Sequence, residues 1–188
     1  MAKFLLVALA ATFFLTAPQD PAPDAATLLR FERLAQPGEA HALLQRLVGE
    51  WDVAVRTPAE PSERVDRGSL KGVALLGGRY VQLQFALTVA QQPFEAVQVL
   101  GFDPLRQQFT SSWRDSASTW ATEATGAPRA DRLDLLALAG TLVDAVDPGG
   151  RPFRIELDLA FDQRVTVRLF ESRGGVEALA QTQTWTRR

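Results

Sequence analysis

In a chain of 188 residues with one histidine and no cysteine, acid–base, nucleophilic or metal chemistry can run through very few side chains. His41 is the sole imidazole, the one side chain type whose unperturbed charge changes near neutral pH. Without cysteine there is no disulfide, thiolate zinc site, thiol nucleophile or lipid-modified N-terminal Cys. A Ser-His-Asp arrangement would have to use His41, and Ser111, Ser112, Ser116 and Ser118 have no distinguishing context. Gly-x-Ser-x-Gly, His-Glu-x-x-His, a phosphate loop and a dinucleotide fingerprint are all absent. The chain therefore reads as a non-enzyme without a cofactor, and His41 as a helix-face or packing residue.

Binding chemistry remains. Arg79 follows Leu76-Gly77-Gly78, a pair of glycines suited to a tight turn or bulge. Its planar guanidinium matches a carboxylate, so it could clamp an anionic ligand; equally it could brace the fold against Asp103 or Asp115. Trp113-Arg114-Asp115-Ser116-Ala117-Ser118-Thr119-Trp120 places two indoles around a polar turn, either lining a cavity or filling a core. The candidate ligand-binding set is Arg79, Phe85, Phe102, Trp113, Asp115 and Trp120. Glu156 and Asp158 also lie on one face of a strand, but their alternation with Ile155, Leu157 and Leu159 needs only solvent exposure.

These residues need a scaffold of strands. Val81, Leu83, Phe85, Leu87 and Val89 alternate with Gln82, Gln84, Ala86 and Thr88, and Phe153, Ile155, Leu157, Leu159 and Phe161 alternate in the same way. Shorter candidates cover 51–57, 69–76, 94–102, 108–114, 119–125, 133–139, 142–146, 165–171 and 178–185. Between them lie Gly77-Gly78, Gln91-Gln92-Pro93, Asp103-Pro104, Asp147-Pro148-Gly149-Gly150, Asp162-Gln163 and Arg173-Gly174-Gly175, all turn chemistry. Roughly ten strands at hairpin spacing, with no helix long enough for a parallel crossover, predict an all-β antiparallel up-and-down meander. Closing it as a barrel removes both edges, although alternation alone does not separate a closed sheet from two packed ones. Ahead of the strands, helical spacing marks Ala25–Leu34 and a second short helix with Leu43, Leu44, Leu47 and Val48 on one face; Gly49 is the expected helix stop.

Gly49-Glu50-Trp51 fits the Gly-x-Trp pattern that opens the first strand of lipocalin-type barrels. Gly49-Glu50-Trp51-Asp52-Val53, Leu76-Gly77-Gly78-Arg79-Tyr80-Val81, Leu100-Gly101-Phe102-Asp103 and Trp113-Arg114-Asp115 with Ser118-Thr119 resemble, in order and spacing, domain-of-unknown-function family 1579. The resemblance covers about residues 38–188 and implies a lipocalin-like β-barrel, in a family made up largely of exported bacterial proteins. It also implies that Trp51 plugs the closed end under a basic residue from the last strand, for which Arg187 and Arg188 are in place. An activity is not implied.

Lys3 followed by the apolar run of residues 4–15 reads as a signal peptide, residues 1–17. Residues 18–38 then form a linker and helical extension, and residues 39–188 the lipocalin-like β-barrel domain. A periplasmic or secreted protein is expected, with no stable membrane span once the leader is removed. The net charge of -2, from scattered charges, offers no stripe for nucleic acid. The expected partner is a hydrophobic small molecule held inside the barrel; a structural or interaction barrel with a filled interior is the first alternative, and an enzyme using cavity carboxylates and Arg79 the second.

Overall fold

The computed structural model describes residues 24–59 and 61–188. The expected leader and most of the linker lie outside the described residues. The chain divides between Ala35 and Gln36. On the N-terminal side, helix α1, Ala25–Leu34, is started by Asp24, whose carboxylate accepts the Thr27 N–H at 2.7 Å. Leu28, Leu29 and Phe31 of α1 are exposed.

From Gln36 onward, a seven-residue helix α2, Glu39–Gln45, leads into ten strands: β1 Gly49–Thr57, β2 Arg64–Leu75, β3 Tyr80–Val89, β4 Gln92–Asp103, β5 Gln108–Asp115, β6 Thr122–Arg129, β7 Arg132–Leu142, β8 Arg151–Phe161, β9 Arg164–Arg173 and β10 Val176–Arg187. Each strand pairs antiparallel with its sequence neighbours, and β1 pairs β10 from Trp51↔Arg187 to Arg56↔Thr182, closing the barrel. Closure satisfies the ladder groups that a sheet edge would leave open. The two-sheet alternative is thereby ruled out.

The two-residue period read from the sequence becomes the barrel's inside and outside. Val81, Leu83, Phe85 and Leu87 are buried, as are Phe153, Leu157 and Leu159, whereas Phe161 is exposed at the end of β8. On the outer face Glu156 takes Arg154 and Arg168, and Asp158 takes Arg132, so these acids are ion-pair partners largely covered by the arginines. Several strand boundaries differ from expectation: β2 begins five residues before the expected 69–76, and β6 is Thr122–Arg129 where 119–125 was expected. Segments 133–139 and 142–146 were expected as separate strands, but β7 runs unbroken to Leu142 and its successor residues form a loop. Gly140 is a strand residue rather than a break: it pairs with Phe153, whose ring would lie 2.8 Å from any Cβ added there.

One end is closed by α2 and the segment that follows it. Leu44 and Leu47 are almost wholly buried in the barrel core, and Gln45 Nε2 donates to the Gly78 carbonyl at 3.1 Å. The helix stops earlier than expected, with Arg46 as its C-cap. Three further N–H groups, of Arg46, Leu47 and Val48, then bond three residues back, a tightened last turn that delivers the chain to β1. Gly49 is thus the first strand residue rather than the helix stop. Its φ of 131° suits glycine, and a Cβ there would meet Arg187 Nη1 at 2.6 Å.

Trp51 forms the floor, 1% exposed, with its indole N–H donating to the Leu47 carbonyl at 3.1 Å. Arg187 lies over the indole, 4.1 Å from the ring centroid. The same guanidinium donates to the carbonyls of Arg46 at 2.6 Å, Val48 at 2.9 Å and Asp162 at 2.9 Å. One cation therefore joins the turn after α2, the β8–β9 hairpin and the two strands at the closing seam.

Arg187→Ala should lower unfolding stability by about 2–3 kcal/mol, since bonds to a charged donor are each worth roughly 1.5–3 kcal/mol before discounting for partial exposure. Urea unfolding followed by tryptophan emission reads the change. Arg187→Lys, which keeps the charge but cannot fork to three carbonyls, should recover only a minor part.

Candidate functional site: a cavity at the open end

Opposite α2 the barrel is hollow. A cavity of about 490 Å³ is bounded by inward side chains of most strands and by the loops that follow β5 and β7. Apolar surface dominates it: Phe85 and Leu87 from β3, Phe94 from β4, Trp113 from β5, Ile155 and Leu157 from β8, and Val167 and Leu169 from β9. Space arises where the inward residue is small, as at Ser111 on β5 and Ala124 on β6, which are paired across the sheet.

The aromatic wall is continuous. Between ring centroids, Phe85 sits 5.3 Å from Trp113 in a tilted pair and 5.7 Å from Trp185 in an edge-on pair. Each indole N–H is held by its own strand: Trp113 donates to Asp115 Oδ2 at 2.7 Å and Trp185 to Gln183 Oε1 at 2.9 Å. Gln183 in turn donates to Gln181 Oε1 at 2.8 Å. Across the cavity Gln98, 5% exposed, donates to Ser111 Oγ at 2.9 Å. With one such bond at Gln98 and Gln181 and two at Gln183, the amides keep further donor and acceptor capacity.

The rim is charged and locally paired. Asp66, on the inward phase of β2, accepts from Arg64 Nε at 2.8 Å and from the Ala90 N–H at 3.0 Å. Asp115 accepts the Ala117 N–H in addition to the Trp113 indole. Asp144, in the β7–β8 loop, accepts the N–H groups of Val146 and Asp147 and is bridged to Arg151 at 2.8 Å. Those backbone donors, the Asp147 N–H first, and then Arg151 hold the Asp144 carboxyl below the usual carboxylate range. Buried Arg151 also takes Glu171 at 2.9 Å, so the loop carrying Asp144 is anchored to β8 and β9 beside the opening.

Of the six residues singled out from the sequence, Phe85, Trp113, Asp115 and Trp120 line the cavity, with Trp120 about half exposed at its rim. Arg79 and Phe102 lie at the other end. Arg79 directly precedes β3 and donates to the Leu76 carbonyl at 3.0 Å, in a turn where Leu76, Gly77 and Gly78 all have positive φ. Asp103, a suggested partner for Arg79, instead holds Arg106 at 2.7 Å. Phe102 stacks edge-on with Phe109 and His41 beneath α2. Sequence reasoning missed Gln98, Ser111, Gln181, Gln183, Asp66 and Asp144. Four of them were detectable as polar residues on the apolar phase of a strand: Gln98 between Ala96 and Leu100, and Gln181 and Gln183 before Trp185, with Asp66 four positions before Leu70.

His41 is away from the cavity and has a structural task. Its Nδ1 accepts the Gly38 N–H at 3.0 Å, the return arm of a helix-capping box with imidazole in place of the usual carboxylate or amide. Among the described residues, no group of three or more His, Cys, Asp or Glu is placed to hold a metal ion. No described helix is long and apolar enough to cross a membrane.

A closed up-and-down barrel with one end under a helix and the other hollow defines a lipocalin-like β-barrel. The chain belongs to the family described as protein of unknown function (DUF1579), whose model matches residues 36–187. None of the curated proteins compared with the chain matches it.

Burial first, and then the charge of Arg79, push the His41 imidazole below 6.5. With the folded value below the unfolded one, the unfolded chain binds the proton first as pH falls. Stability is therefore full above about pH 6.5 and declines below it, down to the folded value. Urea midpoints measured from pH ~7.5 to ~5 should fall more steeply for the wild type than for His41→Gln, which retains an acceptor for the Gly38 N–H but does not titrate.

Proposed function

We propose that the barrel is a small-molecule binding module that takes one apolar or amphipathic ligand into the open-end cavity. The observation that carries this reading is the cavity itself. Its volume, about 490 Å³, falls inside the range of roughly 300–1,000 Å³ typical of ligand sites. Its make-up follows the same rule: mostly aromatic and aliphatic walls, with a few convergent amides and a hydroxyl.

Physical chemistry favours occupancy. An apolar molecule leaving water for this wall gains about 25 cal/mol for each Å² it buries. Little reorganisation opposes entry, because the indole N–H groups are fixed by Asp115 and Gln183 and the aromatic contacts are already made. Phe85, Trp113, Asp115 and Trp120 are the contacts carried forward from the sequence, and Gln98, Ser111 and Gln183 supply polar orientation. A filled structural barrel fits less well, since a barrel built only as a scaffold gains dispersion energy from larger residues at Ser111 and Ala124. The same reading places binding in the periplasm or outside the cell; what supports this is the signal-peptide pattern of residues 1–17.

N-phenyl-1-naphthylamine, an uncharged dye that brightens in apolar surroundings, tests the reading. Titration should give saturable enhancement at one site per chain, with quenching of Trp113. Ala124→Phe places a ring in existing space and should reduce affinity at least ~10-fold while leaving the circular dichroism spectrum unchanged, because lost cavity volume costs a ligand directly. Saturable binding unaffected by Ala124→Phe would put the dye elsewhere on the protein, and no binding would count against the module.

A further inference from the structure

The electrostatics of the opening carry the proposed function further, to the chemical class of the ligand. The inference rests on that reading. The cavity lining holds three carboxylates, Asp66, Asp115 and Asp144, against one guanidinium, Arg64. The charge of Arg64 is already offset by Asp66, which accepts its Nε at 2.8 Å. Arg151, the next cation inward, is buried between Asp144 and Glu171 and is not part of the lining. An entering carboxylate would thus lose water and meet an excess of two negative charges, with every nearby cation already taken.

A ligand that donates hydrogen bonds meets the opposite situation. Each carboxylate oxygen offers more than one acceptor direction, and the donors now in place leave capacity on all three groups. Asp115 sits at the foot of Trp113, where the aromatic wall meets the rim. An alkyl or aryl body can therefore lie along Phe85 and Trp113 with its polar end at the carboxylates. Deeper in, Gln98, Ser111, Gln181 and Gln183 are all uncharged, so a charged end has no counterion there.

We infer that the barrel selects amphiphiles whose polar end is a hydrogen-bond donor, above all an organic ammonium, and discriminates against fatty acids and other carboxylates. This reverses the anion-clamp expectation attached to Arg79, which lies at the opposite end of the barrel.

Decylamine, decan-1-ol and decanoate share one chain length and differ only in head group, so competition against N-phenyl-1-naphthylamine at neutral pH and low salt isolates the charge effect. The expected order is amine, then alcohol, then carboxylate, with about tenfold or more between first and last, narrowing as salt is added. Asp66→Asn keeps an acceptor for the Ala90 N–H and releases Arg64 from its carboxylate. It should therefore improve decanoate binding and weaken decylamine binding, halving the excess negative charge. Dye displacement with decanoate equal to or tighter than decylamine would overturn the inference and leave the binding module standing. Absence of dye binding altogether would overturn both. Wild-type preference as expected but identical in Asp66→Asn, with fold confirmed by circular dichroism, would remove the rim as its cause and so overturn the assignment.

Discussion

The contact on which the rest of the molecule depends is the guanidinium of Arg187 lying on the indole of Trp51. A barrel must be closed twice, once around its circumference and once across an end, and this pair stands where the two closures meet. Trp51 and Arg187 are partners in the β1–β10 ladder that seals the sheet. The same arginine donates to the carbonyls of Arg46 and Val48, at the end of α2, where the helix leaves carbonyl groups unpaired and the dipole favours a positive charge. Its bond to the Asp162 carbonyl fixes the β8–β9 hairpin to that junction. Local needs of different origin, a helix end, a strand seam, a hairpin and an aromatic face, are met by one planar cation. Glycine at position 49 is part of the same arrangement, because a Cβ there would occupy the place of Arg187 Nη1.

A well-closed floor leaves the other end free to be hollow. Barrel diameter grows with strand number, and eight strands already leave an interior that side chains can only just fill or that holds one small ligand. With ten strands the helical end needs extra material, and Leu44, Leu47 and Trp51 supply it. Among the described residues of the barrel unit, α2 packs at the floor only. The inward positions of the far end include Ser111 and Ala124, and the loop after β7 is anchored beside the opening through Arg151 instead of folding into it. Packing and hollowness are thus segregated along the barrel axis, with the filled floor at one end and the cavity at the other.

How much of this was legible in the sequence follows from the kind of signal each feature gives. Alternation along β3 and β8 reports burial directly, so those strands and the meander were readable. The turn residues marked the hairpins, and the Gly-x-Trp opening with a basic C-terminus marked the floor. The strand was split at residue 140 because a glycine breaking a strand and a glycine admitting a neighbour look identical in one dimension; here an added Cβ would clash with the Glu123 carbonyl and meet the Phe153 ring at 2.8 Å. Gly49 misled for a related reason, since its positive φ serves the start of a strand and the approach of a residue 138 positions later. At the site, Trp113 and Asp115 could be chosen because both lie on one short segment around a turn. Arg79 was attractive as a guanidinium beside a Gly-Gly turn, but consecutive turns of a meander alternate between ends, so the turn before β3 lies opposite the one after β5.

The polar residues of the cavity show where periodicity can be read more sharply. Along β4, Ala96, Gln98, Leu100 and Phe102 share one phase, and Gln98 is the odd member; along β10, Gln181 and Gln183 share the phase of Trp185. A buried amide costs free energy unless its hydrogen bonds are met. The barrel meets part of that cost internally, through Gln98 to Ser111 and through the chain from Trp185 to Gln183 to Gln181. Leucine at these positions would fill space with no amide to satisfy, at the expense of the partners of Ser111 and of the Trp185 indole. Uncharged amides kept on the inward phase at the hollow end therefore mark the part of the interior that is not filled by apolar side chains. That criterion, a polar residue out of character with its own face, locates the cavity wall better than the aromatic residues do, because aromatics fill cores and line cavities alike.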